Sequence, residues 1–178
     1  MARKVSISNQ NKSIEDILEW YRVTRNSLEE NERLIVSNQN TILQQFIGLT
    51  QQEVEEYFKY AKDELEKLVC LDLLSAIEAA LKVDYTIRVE RKKKEDISKF
   101  FREDYKKTKG KISLDRTILP AWKRFYPVYK HKIGEYGGLL SYRNWLAHGR
   151  LWEERTRLDV DMIYQVCDNV ISTLPLEA

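Results

Sequence analysis

A stretch of 61 residues without glycine or proline, from Leu49 to Lys109, constrains the fold of this chain more than any other feature. It is far too long for a loop and too poor in turn-forming residues for β-hairpins, so it must be mostly helical. Val54 and Phe58 begin an apolar stripe at helical spacing, which predicts a helix with one buried face. Thr50, with Glu53 three positions on, predicts that a capping box opens this helix.

Helical signals also precede and follow this stretch. Ser13, with Asp16 three positions on, predicts the start of a first helix. Asp159 is the expected N-cap of a last helix that runs to Leu174 with a regular apolar face. No alternating apolar pattern is long enough for a β-sheet, so the sequence predicts an all-α fold, an antiparallel helical bundle. The 178 residues suit one domain over the whole chain, 1–178.

The segment 68–81 is apolar nearly all round, which predicts the central helix of the bundle. Along it and just beyond, polar residues fall within an arc of about 120°. The members of this arc are Asp72, Ser75, Glu78 and Lys82. The arc is either a solvent-facing seam, with Glu78 and Lys82 paired, or the wall of a cleft. In a cleft, Glu78, or Asp84 outside the arc, would be the acid that orients a site residue.

The net charge of +2 hides an uneven distribution of charge. Residues 91–132 hold 15 Lys and Arg against 5 Asp and Glu. This excess predicts a polyanionic partner, with nucleic acid first, although a surface helix that merely leans basic is the alternative. We expect a helix near Glu95 to Lys107 inside a basic insertion that is an appendage of the bundle. The residues predicted to bind the RNA backbone are Lys92, Lys93, Lys94, Lys106, Lys107 and Lys109.

Cysteine usage and hydropathy indicate the compartment. Cys70 and Cys167 lie far apart in apolar stretches, which predicts buried, reduced thiols. No segment has the apolar core of a signal peptide or the length of a membrane span, so we expect an intracellular, cytoplasmic protein that does not bind membranes. The two His and two Cys lack metal-ligand spacing, and no phosphate-binding loop is present, so neither a metal nor a cofactor is expected.

The segment after Gly138 carries the residues best suited to chemistry. Gly149 directly follows His148, which predicts a helix that ends there and a helix dipole that favours the imidazolium and raises its pKa. Asn144 lies one turn earlier on the same face. Arg143 lies about 140° from His148 around an ideal helix. The two converge only through the long Arg side chain, through unwinding at Gly149, or through a second subunit, and a lone His at a helix end is more often structural than catalytic.

Aromatic residues surround this segment and could stack on unpaired bases. Tyr142 and Trp145 lie inside the predicted helix and are better explained as core. Trp152, beyond the glycine, is the better stacking residue, with Tyr136 as a further candidate. Arg150 is expected to add a phosphate contact.

Arg143, Asn144 and His148 match a motif of the HEPN superfamily (higher eukaryotes and prokaryotes nucleotide-binding domains). That motif is Arg, a polar residue, three or more variable residues, and His. The chain also resembles this family in its helical character, its late motif, its central helix and its closing amphipathic helix. The resemblance covers roughly residues 51–91 and 134–174, with 91–132 as an insertion between them.

Many members of that family are metal-independent endoribonucleases that act as dimers, with Arg and His of both subunits facing one cleft. The resemblance implies that His148 handles the proton of an RNA 2′-hydroxyl, Arg143 holds the phosphate and Asn144 orients either group, leaving a 2′,3′-cyclic phosphate. It also implies a homodimer, a role as a toxin or antiviral defence effector, and an antitoxin partner such as a nucleotidyltransferase. The alternatives are a non-catalytic RNA- or nucleotide-binding module and a dimeric interaction partner.

Overall fold

The computed structural model of the chain describes residues 11–37, 44–151, 153 and 158–177, and within these ranges it contains helices and no strand. The prediction of an all-α bundle is therefore confirmed. None of the described helices combines the length and apolar character needed to cross a membrane. The α-helices are α1 (Ile14–Val36), α2 (Gln51–Glu90), α3 (Asp96–Lys107), α4 (Leu119–Phe125), α5 (Lys130–Gly138), α6 (Leu140–Ala147) and α7 (Val160–Ile171). Single turns of 3₁₀ or π helix occupy Gln44–Phe46, Leu114–Ile118 and Pro127–Tyr129.

The two predicted capping residues near the N-terminus open their helices as expected. The Ser13 hydroxyl accepts a hydrogen bond of 3.0 Å from the Asp16 amide at the start of α1. At the start of α2, the Thr50 hydroxyl accepts from the Glu53 amide at 3.3 Å, and the Glu53 carboxylate accepts from the Thr50 amide at 2.8 Å. Each bond satisfies an amide that has no partner within its helix.

Helix α2, 40 residues long, is the centre of the bundle and packs against α1, α3, α6 and α7. Its midpoint is the most buried part, with Leu73, Leu74 and Ile77 fully enclosed. The β-branched residues of the segment 83–89 do not interrupt the helix, which continues to Glu90. Their weak helix propensity is outweighed by burial of this segment against neighbouring helices.

Helices α1 and α2 are antiparallel. Lys12, just before α1, pairs with Asp72 at 3.1 Å, whereas Glu32, near the end of α1, pairs with Lys62 at 2.7 Å. Residue numbers thus rise along one helix as they fall along the other. The Gln44–Phe46 turn lies at the closed end of this hairpin, where Phe46 stacks on Phe58.

The basic segment 91–132 is part of the main core, so the expectation of an appendage is wrong. Ile97 and Phe101 of α3, and Ile118 and Trp122 at α4, are at most 1% exposed and belong to the same apolar cluster as the α2 residues. Each pair is spaced four residues apart, which places both members on one helical face. The excess of Lys and Arg lies on the remaining faces, where it does not prevent packing.

Helix α7 begins where predicted, since the Asp159 carboxylate accepts from the Met162 amide at 2.7 Å. It ends at Ile171, before the predicted Leu174, although Leu174 is still buried in the following turn. Cys167 on α7 and Cys70 on α2 are both buried in the core, as predicted. Burial raises the pKa of the Cys167 thiol to about 12, because a thiolate would lose its hydration there.

Candidate functional site

The predicted motif lies on α6, whose C-terminal end is formed as its sequence indicates. Gly149 adopts a φ of +85°, and the Arg150 amide donates to the Trp145 carbonyl at 3.0 Å, which is the bond of a Schellman cap. His148 is the C-cap residue itself, with its amide donating to the Asn144 carbonyl at 3.0 Å. Its imidazole is exposed to solvent.

Arg143 extends from α6 onto α2, where its guanidinium forms an ion pair with Glu78. Its Nη1 also donates to the Asn144 side-chain oxygen at 2.8 Å. Its Nε is buried without a hydrogen-bond partner among the described residues. Glu78 accepts a second hydrogen bond from Lys82 one turn further along α2. The side chains of Glu78 and Arg143 are 14% and 22% exposed, so this pair lies at the edge of the helix interface.

Arg143 and His148 are not joined by any hydrogen bond or ion pair among the residues that the structure describes. Helix α6 keeps regular α-helical geometry up to Ala147, so the angular separation expected from an ideal helix persists. Asn144 is exposed and bonds to Arg143 rather than to the imidazole. Within one chain, the arginine faces α2 and the histidine faces solvent.

Arg150 is engaged by Glu64 on α2, a residue that the sequence analysis did not identify. Its Nη1 lies 2.5 and 2.6 Å from the two carboxylate oxygens of Glu64. The hydrogen bond from Arg150 is the main reason that the pKa of Glu64 lies below its ordinary value, and Lys67 adds to the effect. The predicted phosphate contact would require Arg150 to leave this carboxylate. Glu64 and Glu78 are about 40° apart around α2, and that shared face is the signal that could have identified Glu64.

Tyr136 is inaccessible to an unpaired base, so its prediction as a stacking residue is wrong. Its ring is fully buried, and its hydroxyl donates to the Leu74 carbonyl at 3.0 Å. Burial raises its pKa well above the usual value. Tyr136 lies inside α5, and its hydrogen bond joins this helix to α2.

Asp84 is not a neighbour of the motif residues. It is fully buried, accepts a hydrogen bond from Arg88 Nε at 2.7 Å and another from the Glu177 amide at 2.8 Å. Desolvation raises its pKa despite these partners. Arg88 also donates to the Pro175 carbonyl at 2.8 Å, so the pair fastens residues 175–177 to α2. The role predicted for Asp84 beside the site is therefore wrong.

The remaining aromatic predictions divide into two cases. Tyr142 and Trp145 stack on each other, with ring centroids 5.7 Å apart, and both are half-buried against the core, as their position in the helix indicates. Trp152, the preferred stacking residue, lies outside the described residues.

The predicted RNA-binding lysines form two groups at opposite ends of α3. A helix of 12 residues is about 18 Å long, so the groups are separated by roughly that distance. Lys93 is half-buried and pairs with Glu177 at 3.0 Å, which balances its charge. The exposed members are Lys92, Lys94, Lys106, Lys107 and Lys109.

No protein-family model, curated protein or solved structure matches this chain. Within the described ranges, no group of three or more His, Cys, Asp or Glu side chains is arranged to hold a metal ion. The functional interpretation therefore depends on the residues of α6 and their partners on α2.

Proposed function

We propose that this protein is a metal-independent endoribonuclease of the HEPN type that cleaves single-stranded RNA as a homodimer. The observation that carries the proposal is the arrangement on α6, where an exposed His148 caps the helix and Arg143 is fixed on a neighbouring helix by Glu78. An arginine held by a carboxylate keeps a defined orientation, which suits recognition of a phosphate.

The chemistry would be attack of an RNA 2′-hydroxyl oxygen on the adjacent phosphorus. His148 takes the hydroxyl proton, and Arg143 stabilises the charge that develops on the non-bridging oxygens. Asn144 holds the Arg143 guanidinium through its side-chain oxygen. The bond from phosphorus to the 5′-oxygen breaks, that oxygen takes the proton from the His148 imidazolium, and a 2′,3′-cyclic phosphate remains.

A dimer fits this chemistry because Arg143 and His148 do not contact each other within the described part of one chain. In a symmetric dimer, His148 of one subunit can approach Arg143 of the other across a shared cleft. The exposed lysines around α3 would attract the RNA backbone. We infer a cytoplasmic toxin or defence effector that an antitoxin such as a nucleotidyltransferase restrains; burial of both cysteines in the core agrees with a reducing compartment.

The test is incubation of the purified protein with single-stranded RNA in EDTA, with single-stranded DNA of the same sequence as the control. We expect cleavage of RNA only, a cyclic phosphate end, and loss of cleavage in His148→Ala with the fold retained by circular dichroism. DNA lacks the attacking hydroxyl, so cleavage of DNA would contradict the mechanism.

The second candidate function is a non-catalytic module that binds RNA or a nucleotide. The separation of Arg143 and His148 within the described part of one chain favours it, because binding through Arg143 does not need the histidine, whereas cleavage does. Retention of RNA on the protein without cleavage, weakened in Arg143→Gln and unchanged in His148→Ala, would identify this function.

A further inference from the structure

The chain leaves α6 through two consecutive residues with left-handed backbone conformation. Gly149 has φ +85° and Arg150 has φ +53°. Glycine adopts this region freely, whereas an arginine is disfavoured there by contact of its Cβ with the backbone. Lys92 and Lys109 adopt the same conformation after α2 and α3, and what distinguishes Arg150 is a restraint from outside its own turn.

Glu64 supplies that restraint. Both of its carboxylate oxygens lie within 2.6 Å of Arg150 Nη1, across 86 residues of sequence. Both side chains are 26% exposed, so solvent only partly weakens the pair. Glu64 lies within α2, the helix that packs against α1, α3, α6 and α7, and so anchors the turn to the centre of the bundle.

His148 lies two residues before Arg150. Its imidazole is exposed and has no hydrogen-bond partner among the described residues, so its location is determined by the backbone of the turn. Two bonds define that backbone beyond α6 itself. They are the amide hydrogen bond from Arg150 to Trp145 and the ion pair from Arg150 to Glu64.

We propose that Glu64 is a positioning residue that, through Arg150, holds the turn of residues 148–150 and so places His148 for its reaction. The proposal rests on the proposed ribonuclease function for its catalytic consequence. In this proposal Arg150 stabilises the turn and does not contact RNA.

Glu64→Gln distinguishes these two roles of Arg150, because each role predicts a change in a different kinetic constant. If Arg150 holds the turn, the variant lowers kcat about tenfold and leaves KM within about twofold, since small misplacements of a reacting group cost one to two orders of magnitude. If Arg150 binds RNA, removal of the competing carboxylate frees it, and KM falls while kcat is kept. The second result would overturn the proposal.

Two Arg150 variants and a control at a second ion pair complete the kinetic test. A single nitrogen of Arg150 contacts both oxygens of Glu64, and a lysine ammonium can do the same, so Arg150→Lys is expected to keep kcat. Arg150→Gln should lower kcat as much as Glu64→Gln does. Glu32→Gln breaks an ion pair of similar burial between α1 and α2, away from the motif, and should leave kcat unchanged. An equal reduction of kcat in Glu32→Gln would show a general effect of ion-pair removal and overturn the proposal.

A measurement that needs no RNA distinguishes this proposal from the proposed function. The chain has two histidines, so the ring resonance of His148 is assigned by comparison with His131→Gln. In Glu64→Gln we expect the His148 ring resonance to shift and hydrogen exchange of the Arg150 amide to accelerate at least about tenfold. Unchanged exchange and an unchanged resonance would overturn the proposal. If Glu64→Gln shows the expected changes while the wild-type protein cleaves no RNA, the ribonuclease function alone is refuted.

Discussion

Arg143 on α6 and Glu78 on α2 form an ion pair that fastens the motif helix to the centre of the bundle. Glu78 also accepts a hydrogen bond from Lys82, so one carboxylate binds two cations, of which Lys82 is the more exposed. This arrangement combines both interpretations of the polar arc on α2. Glu78 pairs with Lys82 as a surface seam would, and it orients an arginine as the wall of a cleft would.

Glu78→Gln should destabilise the fold by about 1–2 kcal/mol. The variant keeps the shape of the side chain but leaves Arg143, which is mostly buried, without a counter-charge. Urea unfolding followed by circular dichroism measures the change. Lys82→Gln is the matched control, since Lys82 is 41% exposed and its removal should cost less than about 1 kcal/mol. A larger destabilisation in the control would show that Lys82 is the dominant partner of Glu78.

Trp122→Ala should destabilise the fold by about 3–5 kcal/mol, the usual cost of removing a fully buried large aromatic side chain. Trp122 lies in the basic segment, packs against the guanidinium of Arg88 at 5.3 Å from the ring centroid, and is inaccessible to solvent. Val128→Ala, in the same segment but 79% exposed, should change stability by less than about 0.5 kcal/mol. Similar small effects at both positions, measured by thermal unfolding, would restore the interpretation of this segment as an appendage.

The stabilisation of the fold by Glu64 should decrease as the pH falls. Its pKa in the folded protein is lowered from the ordinary value of 4.5, mainly by the hydrogen bond from Arg150. The folded state therefore prefers the ionised carboxylate, and this stabilisation is complete above the unfolded pKa and is lost as the pH falls through the folded pKa. Urea unfolding at a series of pH values should give a difference between wild type and Glu64→Gln that is largest near neutrality and disappears in acid. A difference that grows on acidification would contradict the assigned direction.

The exposed lysines at the C-terminal end of α3 should contribute to RNA affinity through counterion release. Substituting Lys106, Lys107 and Lys109 with Gln should weaken binding at all sequences. It should also reduce the slope of log affinity against log salt by about 0.7 for each phosphate that the variant no longer neutralises. Lys93→Gln should leave the slope unchanged, because Lys93 pairs with Glu177. Fluorescence anisotropy with labelled single-stranded RNA over a salt series measures the affinity and the slope. An equal effect of Lys93→Gln would show that Lys93 leaves Glu177 to bind RNA.

Local features of the fold were predictable because their causes lie within a few residues. The helix starts at Ser13, Thr50 and Asp159, and the end of α6 at Gly149, follow from side chains that satisfy nearby backbone groups and from the conformational freedom of glycine. The boundary at Ile171 was not predictable in this way, because the apolar pattern continues to Leu174, which is buried without helical structure.

Features that depend on distant packing were not predictable from one sequence. The local excess of Lys and Arg suggested that the basic segment is an appendage of the bundle. The apolar faces around Phe101 and Trp122 instead pack it into the main core. Tyr136 was a stacking candidate because it lies near the motif in the sequence, whereas its hydroxyl donates to the Leu74 carbonyl, 62 residues earlier. The partner of Arg150 lies 86 residues away, and spacing along α2 places Glu64 on the same face as Glu78 without indicating which cation it binds.

The enclosure of Cys167 gives the bundle a native reporter of its own opening. Its thiol is inaccessible and, with a pKa of about 12, almost entirely protonated near neutrality, so it cannot attack a disulfide reagent in the closed state. Labelling requires α7 to separate from α2 for long enough to admit the reagent. Because Cys70 on α2 is buried as well, the rate of thiol modification in native buffer measures how often the core around the two thiols opens, without an introduced dye.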